Sequence, residues 1–106
     1  MELILSAPGV DIDDDDRARV SQWLEKIDRR LKDRRDVRAT VRVTGHDTGK
    51  PTRKVTLEID YGRTHLLATA DAQDTGQAVR QARDEIIRQI NDMKQRGSHS
   101  SYANRR

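Results

Sequence analysis

Apolar and polar residues alternate with a period of two in four stretches of the chain, a pattern that predicts β-strands. The first stretch covers residues 1–7 and ends at Pro8-Gly9. Three later stretches, "VRATVRVT", "RKVTLEIDY" and "THLLATA", place apolar residues mainly on one face. The predicted inward residues of these three strands are Val37, Ala39, Val41, Val43, Val55, Leu57, Ile59, Tyr61, Leu66, Ala68 and Ala70. We therefore expect a sheet covered on one side, with antiparallel hairpins at the turn-rich connections.

Two other stretches have the helical period. In the first, the apolar stripe is Val20, Leu24, Ile27 and Leu31, with Trp23 beside it. The second helix is predicted from Asp74, its N-cap, to about Lys94, with Gly97 as the stop signal. The order is thus β-α-β-β-β-α, an α+β fold in which both helices pack on one face of a four-stranded sheet. Residues 1–94 are expected to form one domain, and residues 95–106 a flexible basic tail.

Composition narrows the function classes. The chain has no cysteine, which excludes disulfides, thiolate metal sites and a cysteine nucleophile. The opening "MELILSAP" has an acid and only a short apolar run, so no signal peptide is expected, and no stretch is long enough to span a bilayer. These features favour a soluble cytoplasmic protein.

Charge is distributed unevenly along the chain. Residues 1–16 contain six acids and no base, whereas residues 29–54 contain ten bases against three acids. The last twelve residues add Arg96, Arg105 and Arg106. A basic half of this kind attracts polyanions, of which nucleic acid is the commonest, although a solvated charged surface has the same composition.

Two stretches imitate ligand-binding motifs. The acidic run from Asp11 resembles a calcium loop, but Asp16 stands where glycine is required and Gln22 where a glutamate is required. Asp13 is better placed as the N-cap of the first helix. The sequence "GHDTGK" resembles a phosphate-binding loop, but it has one residue too few between its glycines and lies between two strands. We expect no metal and no cofactor.

The sequence does not place candidate catalytic residues close to one another. His46, His65 and His99 fall on a loop, a strand face and the tail, without the spacing of metal ligands. No serine has the context of a nucleophile elbow, and no carboxylate stands alone among apolar residues. The sequence therefore indicates neither an enzyme nor a small-molecule substrate.

The order of elements, the opening "MELILSAPGVDI" and the stretch "ATADAQDTGQAVRQARDEIIRQI" resemble the ribosome hibernation factor family, which includes hibernation-promoting factor and ribosome-associated inhibitor. The resemblance covers residues 1–94. The matching residues of the last strand and helix are Ala68, Ala70, Asp71, Gln73, Asp74, Ala78, Val79, Ala82, Ile86, Arg88, Gln89, Ile90 and Lys94.

This resemblance implies two roughly parallel helices on the sheet and a protein that binds the small ribosomal subunit. In the family, the protein occupies the decoding channel, blocks mRNA and tRNA, and inhibits translation under stress. Basic residues on the helices contact rRNA, and by position these are Lys26, Arg29, Arg30, Arg80, Arg83, Arg88 and Lys94. The resemblance implies a short form without the C-terminal domain that pairs ribosomes, and a monomer off the ribosome.

The start of the first helix departs from the family pattern, and two rival functions also fit the sequence. Asp16 and Arg19 make the start of the first helix more hydrophilic than is usual in the family. A double-stranded-RNA-binding domain has a similar order of elements, but it places lysines at the start of its last helix, where this chain has "QDTGQ". The other rival is a protein-interaction module that modulates transcription.

Overall fold

The computed structural model describes residues 1–46 and 52–103, and the side chains of residues 1–45 and 52–95. The elements are β1 (Glu2–Ser6), α1 (Asp14–Arg30), β2 (Arg38–His46), β3 (Thr52–Tyr61), β4 (Thr64–Ala72) and α2 (Thr75–Ala103). The predicted order β-α-β-β-β-α is confirmed. Across the described residues, neither helix combines the length and the apolar character needed to cross a membrane.

The four strands form one sheet in the order β1-β2-β3-β4. β1 pairs in parallel with β2, because α1 carries the chain back before β2 begins. The pairs β2–β3 and β3–β4 are antiparallel, so the predicted hairpins are confirmed. The β3–β4 turn is only two residues long, and Gly62 adopts a φ of 57° there, a left-handed conformation that glycine accepts most readily.

One apolar core lies between the sheet and the two helices. Every residue predicted to face inward from the three later strands is buried, with an exposed fraction of at most 9%, and this includes Val37 immediately before β2. The α1 stripe of Val20, Leu24, Ile27 and Leu31 joins the same cluster, as do five residues of α2 (Ala78, Val79, Ala82, Ile86, Ile90). The other face of the sheet is open and mainly polar, which confirms the prediction of a sheet covered on one side.

The acidic run before α1 forms its N-terminal cap. The Asp16 N–H donates to the Asp13 carboxylate over 2.8 Å, and the Asp13 N–H reaches back to the Asp16 carboxylate over 3.4 Å. This reciprocal arrangement is a capping box, and the acids of the first turn complement the helix dipole. The predicted cap is therefore confirmed. Most of the stretch that resembles a phosphate-binding loop, residues 47–50, lies outside the described residues.

α2 begins where the sequence predicts, because the Gln77 N–H donates to the Asp74 carboxylate over 2.7 Å. The prediction that Gly97 ends the helix is wrong, since α2 continues to Ala103. A single glycine costs a helix only about 1 kcal/mol, and no proline follows it. The division into a domain of residues 1–94 and a flexible tail of residues 95–106 stays a prediction.

Candidate RNA-binding surface

α1 and α2 run side by side in the same direction. The Trp23 ring, in the middle of α1, lies against Gly76 and Arg80, near the start of α2. Near the end of α1, Arg30 Nη1 donates to Asn91 Oδ1 over 3.0 Å. Residue numbers rise in the same sense on both helices between these contacts, so the helices are parallel, as the resemblance implied.

Helical spacing places five of the seven predicted RNA-binding residues along this contact line. On α1, Lys26 lies three residues after Trp23 and four before Arg30, and therefore on the same flank. On α2, the corresponding flank carries Gly76, Arg80, Arg83, Ile87, Asn91 and Lys94, at intervals of three or four residues. We call the outer surface along this line the helix seam, and its cations are Lys26, Arg30, Arg80, Arg83 and Lys94.

Arg80 is held over an aromatic ring. Its guanidinium carbon lies 5.6 Å from the centre of the Trp23 ring, which is a cation–π contact. The contact restrains the side chain without neutralising its charge. Arg80 itself is exposed, so its guanidinium stays available to an anion.

Arg30 and Lys94 form the other end of the seam. The recorded partner of the Arg30 guanidinium is the neutral Asn91 amide, and Lys94 Nζ donates to the Arg30 carbonyl over 3.2 Å. Both side chains tie the two helices together. Among the described residues, the structure records no hydrogen bond or ion pair for the exposed Lys26.

Arg83 and Arg29 are more strongly engaged with acids. The Arg83 side chain is only 15% exposed, and its Nε donates to Asp84 Oδ1 over 2.9 Å. Arg29 is exposed but lies 3.4 Å from the Glu25 carboxylate one turn earlier on α1. Its position places it on the outer side of α1, away from the seam.

Arg88 lies on the opposite flank of α2, toward the free edge of β4. It donates to Glu85 over 2.6 Å and 2.9 Å, and to Asp92 over 3.1 Å. Gln89 Nε2 donates both to Glu85 and to the Leu67 carbonyl of β4, 3.0 Å away in each case. The structure thus places Arg88 between two carboxylates in a network that fastens α2 to the sheet edge.

Acid is expected to weaken this network through Glu85. The hydrogen bonds from Arg88 and then Gln89 lower the pKa of Glu85 from 4.5 to about 2. A lowered pKa stabilises the folded state above the unfolded-state value, and that contribution is lost as pH falls from about 4.5 to 2. The free energy of unfolding of Glu85→Gln should therefore fall less than that of the wild type over this interval, as measured by urea titration.

Glu25→Gln provides a matched control for that measurement. It removes another exposed helix carboxylate, one with a single recorded contact of 3.4 Å to Arg29. It should retain the wild-type loss of stability in acid. Equal acid profiles for the wild type and Glu85→Gln would contradict a stabilising role for the network.

Further cations lie outside the predicted set. Arg19 stands one turn before Trp23 on the seam flank, near the acidic caps Asp16 and Asp74. Beyond α1, the loop before β2 and the β3–β4 turn carry Lys32, Arg34, Arg35 and Arg63, which we call the basic pole. The runs "KDRRD" and "YGR" show these charges in the sequence, but they do not show that the loop and the turn meet in space.

The open face of the sheet carries a histidine paired with an acid. His65 Nδ1 lies 2.5 Å from Asp60 Oδ1, and the hydrogen bond to Asp60 raises the pKa of His65. Half of the His65 side chain is exposed, as expected for a residue on a strand face. The ligand atoms of Glu58, Asp60 and His65 lie within 4.8 Å of one another, which is close enough to approach one metal ion.

A family model decides the identification. Residues 3–98 match the family described as "Sigma 54 modulation protein / S30EA ribosomal protein". The chain belongs to this family. The resemblance to ribosome hibernation factors is therefore confirmed, and with it a ribosome-associated kind of protein. No curated protein matches the chain in sequence.

Solved structures agree on the fold. The N-terminal domain of Protein Y from Thermus thermophilus superimposes with a TM-score of 0.75 at 19% identity, covering 88% of this chain and 99% of that one. A ribosomal subunit interface protein from Coxiella burnetii gives 0.69 at 17% identity, covering 89% and 98%. At these identities the likeness concerns the fold alone.

Proposed function

We propose that this protein is a ribosome hibernation factor that binds the rRNA of the small ribosomal subunit through the helix seam. It occupies the decoding channel and so excludes mRNA and tRNA under stress. It acts in the cytoplasm, as a monomer when off the ribosome. Family membership supports ribosome association, and the resemblance supplies the subunit and the channel.

The proposal rests on the neutral groups that hold two of the seam cations in place. Arg80 and Arg30 are held in place by neutral groups, the Trp23 ring and the Asn91 amide. Their charges are therefore fixed in position and still free to bind phosphate. Such cations displace condensed counterions from the RNA. This stabilises the complex whatever the RNA sequence is. A rigid band of this kind suits folded RNA, which proteins recognise mainly by shape, phosphates and 2′-hydroxyls.

The seven predicted residues differ in how well they suit this role. Lys26, Arg30, Arg80 and Lys94 face outward along the seam and are assigned the main contacts. Arg83 contributes less because it is mostly buried beside Asp84. Arg29 lies off the seam, and Arg88 is neutralised by Glu85 and Asp92.

Inhibition by this surface requires no chemical step. A folded domain that fills a channel excludes other occupants by its volume. The family description also names sigma-54 modulation, which supports transcriptional control as the second candidate function.

A sucrose gradient of cell lysate distinguishes the two functions. The proposal predicts that the protein sediments with small subunits and whole ribosomes and leaves them at high salt. Sedimentation with RNA polymerase would favour the transcriptional role. Recovery only in the free fractions at low salt would contradict ribosome binding. Binding of purified duplex RNA but not of ribosomes would instead favour a double-stranded-RNA-binding module.

A further inference from the structure

The helix seam leads directly into a second cationic surface. Lys94, at the end of the seam, bonds to the Arg30 carbonyl, and the preceding residue Met93 lines a pocket of about 350 Å³. The other walls of this pocket come from the loop after α1 and from the β3–β4 turn. Three separate parts of the chain therefore meet at one end of the molecule.

The charges of the pocket are mainly positive. Arg34, Arg35 and Arg63 line it, and Asp33 is the one acid among its lining residues. The described part of the chain records no hydrogen bond or ion pair for the side chains of Arg35 and Arg63, and both residues are exposed. Three guanidinium groups against one carboxylate leave the pocket strongly attractive to an anion.

Local contacts restrain Arg34 and fix the backbone from which Arg63 projects. The Arg34 N–H donates to the Leu31 carbonyl over 2.9 Å, and its guanidinium lies 5.8 Å from the centre of the buried Tyr61 ring. Arg63 projects from the tip of a two-residue turn that depends on the positive φ of Gly62. Restraint before binding reduces the conformational entropy lost when an anion is bound.

We infer that the pocket lined by Arg34, Arg35 and Arg63 is a second phosphate-binding site, which takes backbone phosphates of the RNA that lies along the helix seam. This inference rests on the proposed function and adds to it a contact beyond the helices. The pocket adjoins the end of the seam through the neighbouring residues Met93 and Lys94, so one RNA can contact both surfaces. Guanidinium groups suit phosphate because their N–H donors match two phosphate oxygens at once.

Salt dependence tests this inference. Because the chain has no cysteine, Ser6→Cys on the open face of β1 allows one fluorophore to be attached. The labelled protein is titrated with purified small ribosomal subunits at several KCl concentrations. Arg35→Gln/Arg63→Gln should reduce the slope of log Kd against log salt by about 1 for each lost contact, hence by about 2. Binding at low salt should weaken by roughly tenfold to a hundredfold.

Two further variants serve as controls. Arg42→Gln/Lys54→Gln removes the same charge from the open face of the sheet and should retain the wild-type slope. Arg35→Lys/Arg63→Lys keeps the charges and should keep most of the slope. Thermal unfolding checks that each variant remains folded.

The possible outcomes separate this site from the proposed function. If the wild type binds and Arg35→Gln/Arg63→Gln has the same slope as Arg42→Gln/Lys54→Gln, the second phosphate site is wrong. The proposed function then stands. If the wild type fails to bind small subunits at all, both are wrong. A reduced slope in the pocket variant alone supports the site.

Discussion

Arg30→Glu/Arg80→Glu is expected to abolish co-sedimentation of the protein with small ribosomal subunits. Both side chains point outward from the helix seam and are held by neutral partners, so each reversal turns an attraction for phosphate into a repulsion. We expect a loss of affinity of about 100-fold, equivalent to about 1.4 kcal/mol for each side chain. Sedimentation at fixed subunit concentration and low salt measures the effect.

The matched control for this variant has the same change in net charge. Arg42→Glu/Lys54→Glu reverses two cations on the open face of the sheet, opposite the helices. It should bind small subunits nearly as well as the wild type. If both pairs weaken binding equally, net charge rather than the helix seam governs binding. Arg30→Glu/Arg80→Glu should remain folded, because it removes one exposed cation–π contact, worth about 0.5–1 kcal/mol, and one exposed hydrogen bond, worth about 0.5–1.5 kcal/mol.

Gly76→Ala is expected to destabilise the protein by about 1–3 kcal/mol, the range for overpacked sites. A β-carbon at this position would lie 2.8 Å from Trp23 Cη2 and 3.2 Å from Cζ2. The indole would have to move away from α2, which also separates it from Arg80. In an open helix the same substitution would stabilise by about 1 kcal/mol, so destabilisation identifies the close contact as the cause.

Two measurements test the effect of Gly76→Ala on stability and on the position of Trp23. Urea unfolding gives the free energy of unfolding, and the emission of Trp23, the only tryptophan in the chain, reports whether the ring becomes more exposed. In a Trp23→Leu background, the same change should cost much less, because the two substitutions share one contact. Gln77→Ala, at the next and exposed position, is the control. Unchanged stability and emission in Gly76→Ala would contradict the tight packing of α1 on α2.

The fold followed from residue patterns because each element carries its own signal. The alternation of Val37 to Val43 and of Val55 to Tyr61 determines which side of each strand is buried, and the stripe from Val20 to Leu31 does the same for α1. Asp13 and Asp74 mark helix starts through a local hydrogen bond. The end of α2 was mispredicted because the cost of Gly97 is small compared with the propensity of the rest of the helix.

The surface was less predictable because its properties depend on contacts between distant residues. Arg80 and Arg88 look equivalent in sequence, yet one lies over Trp23 and the other between Glu85 and Asp92. The basic pole joins Arg35 to Arg63 only through the sheet topology. Which of these cations bind RNA stays a prediction.

Competition on the small ribosomal subunit shows whether the protein and tRNA occupy the same channel. Small subunits carrying mRNA and labelled initiator tRNA are titrated with the wild-type protein, and bound tRNA is counted after filtration. We expect tRNA to be displaced as the protein binds, and Arg30→Glu/Arg80→Glu to displace none at the same concentration. Simultaneous binding of the protein and tRNA to one subunit would contradict this expectation.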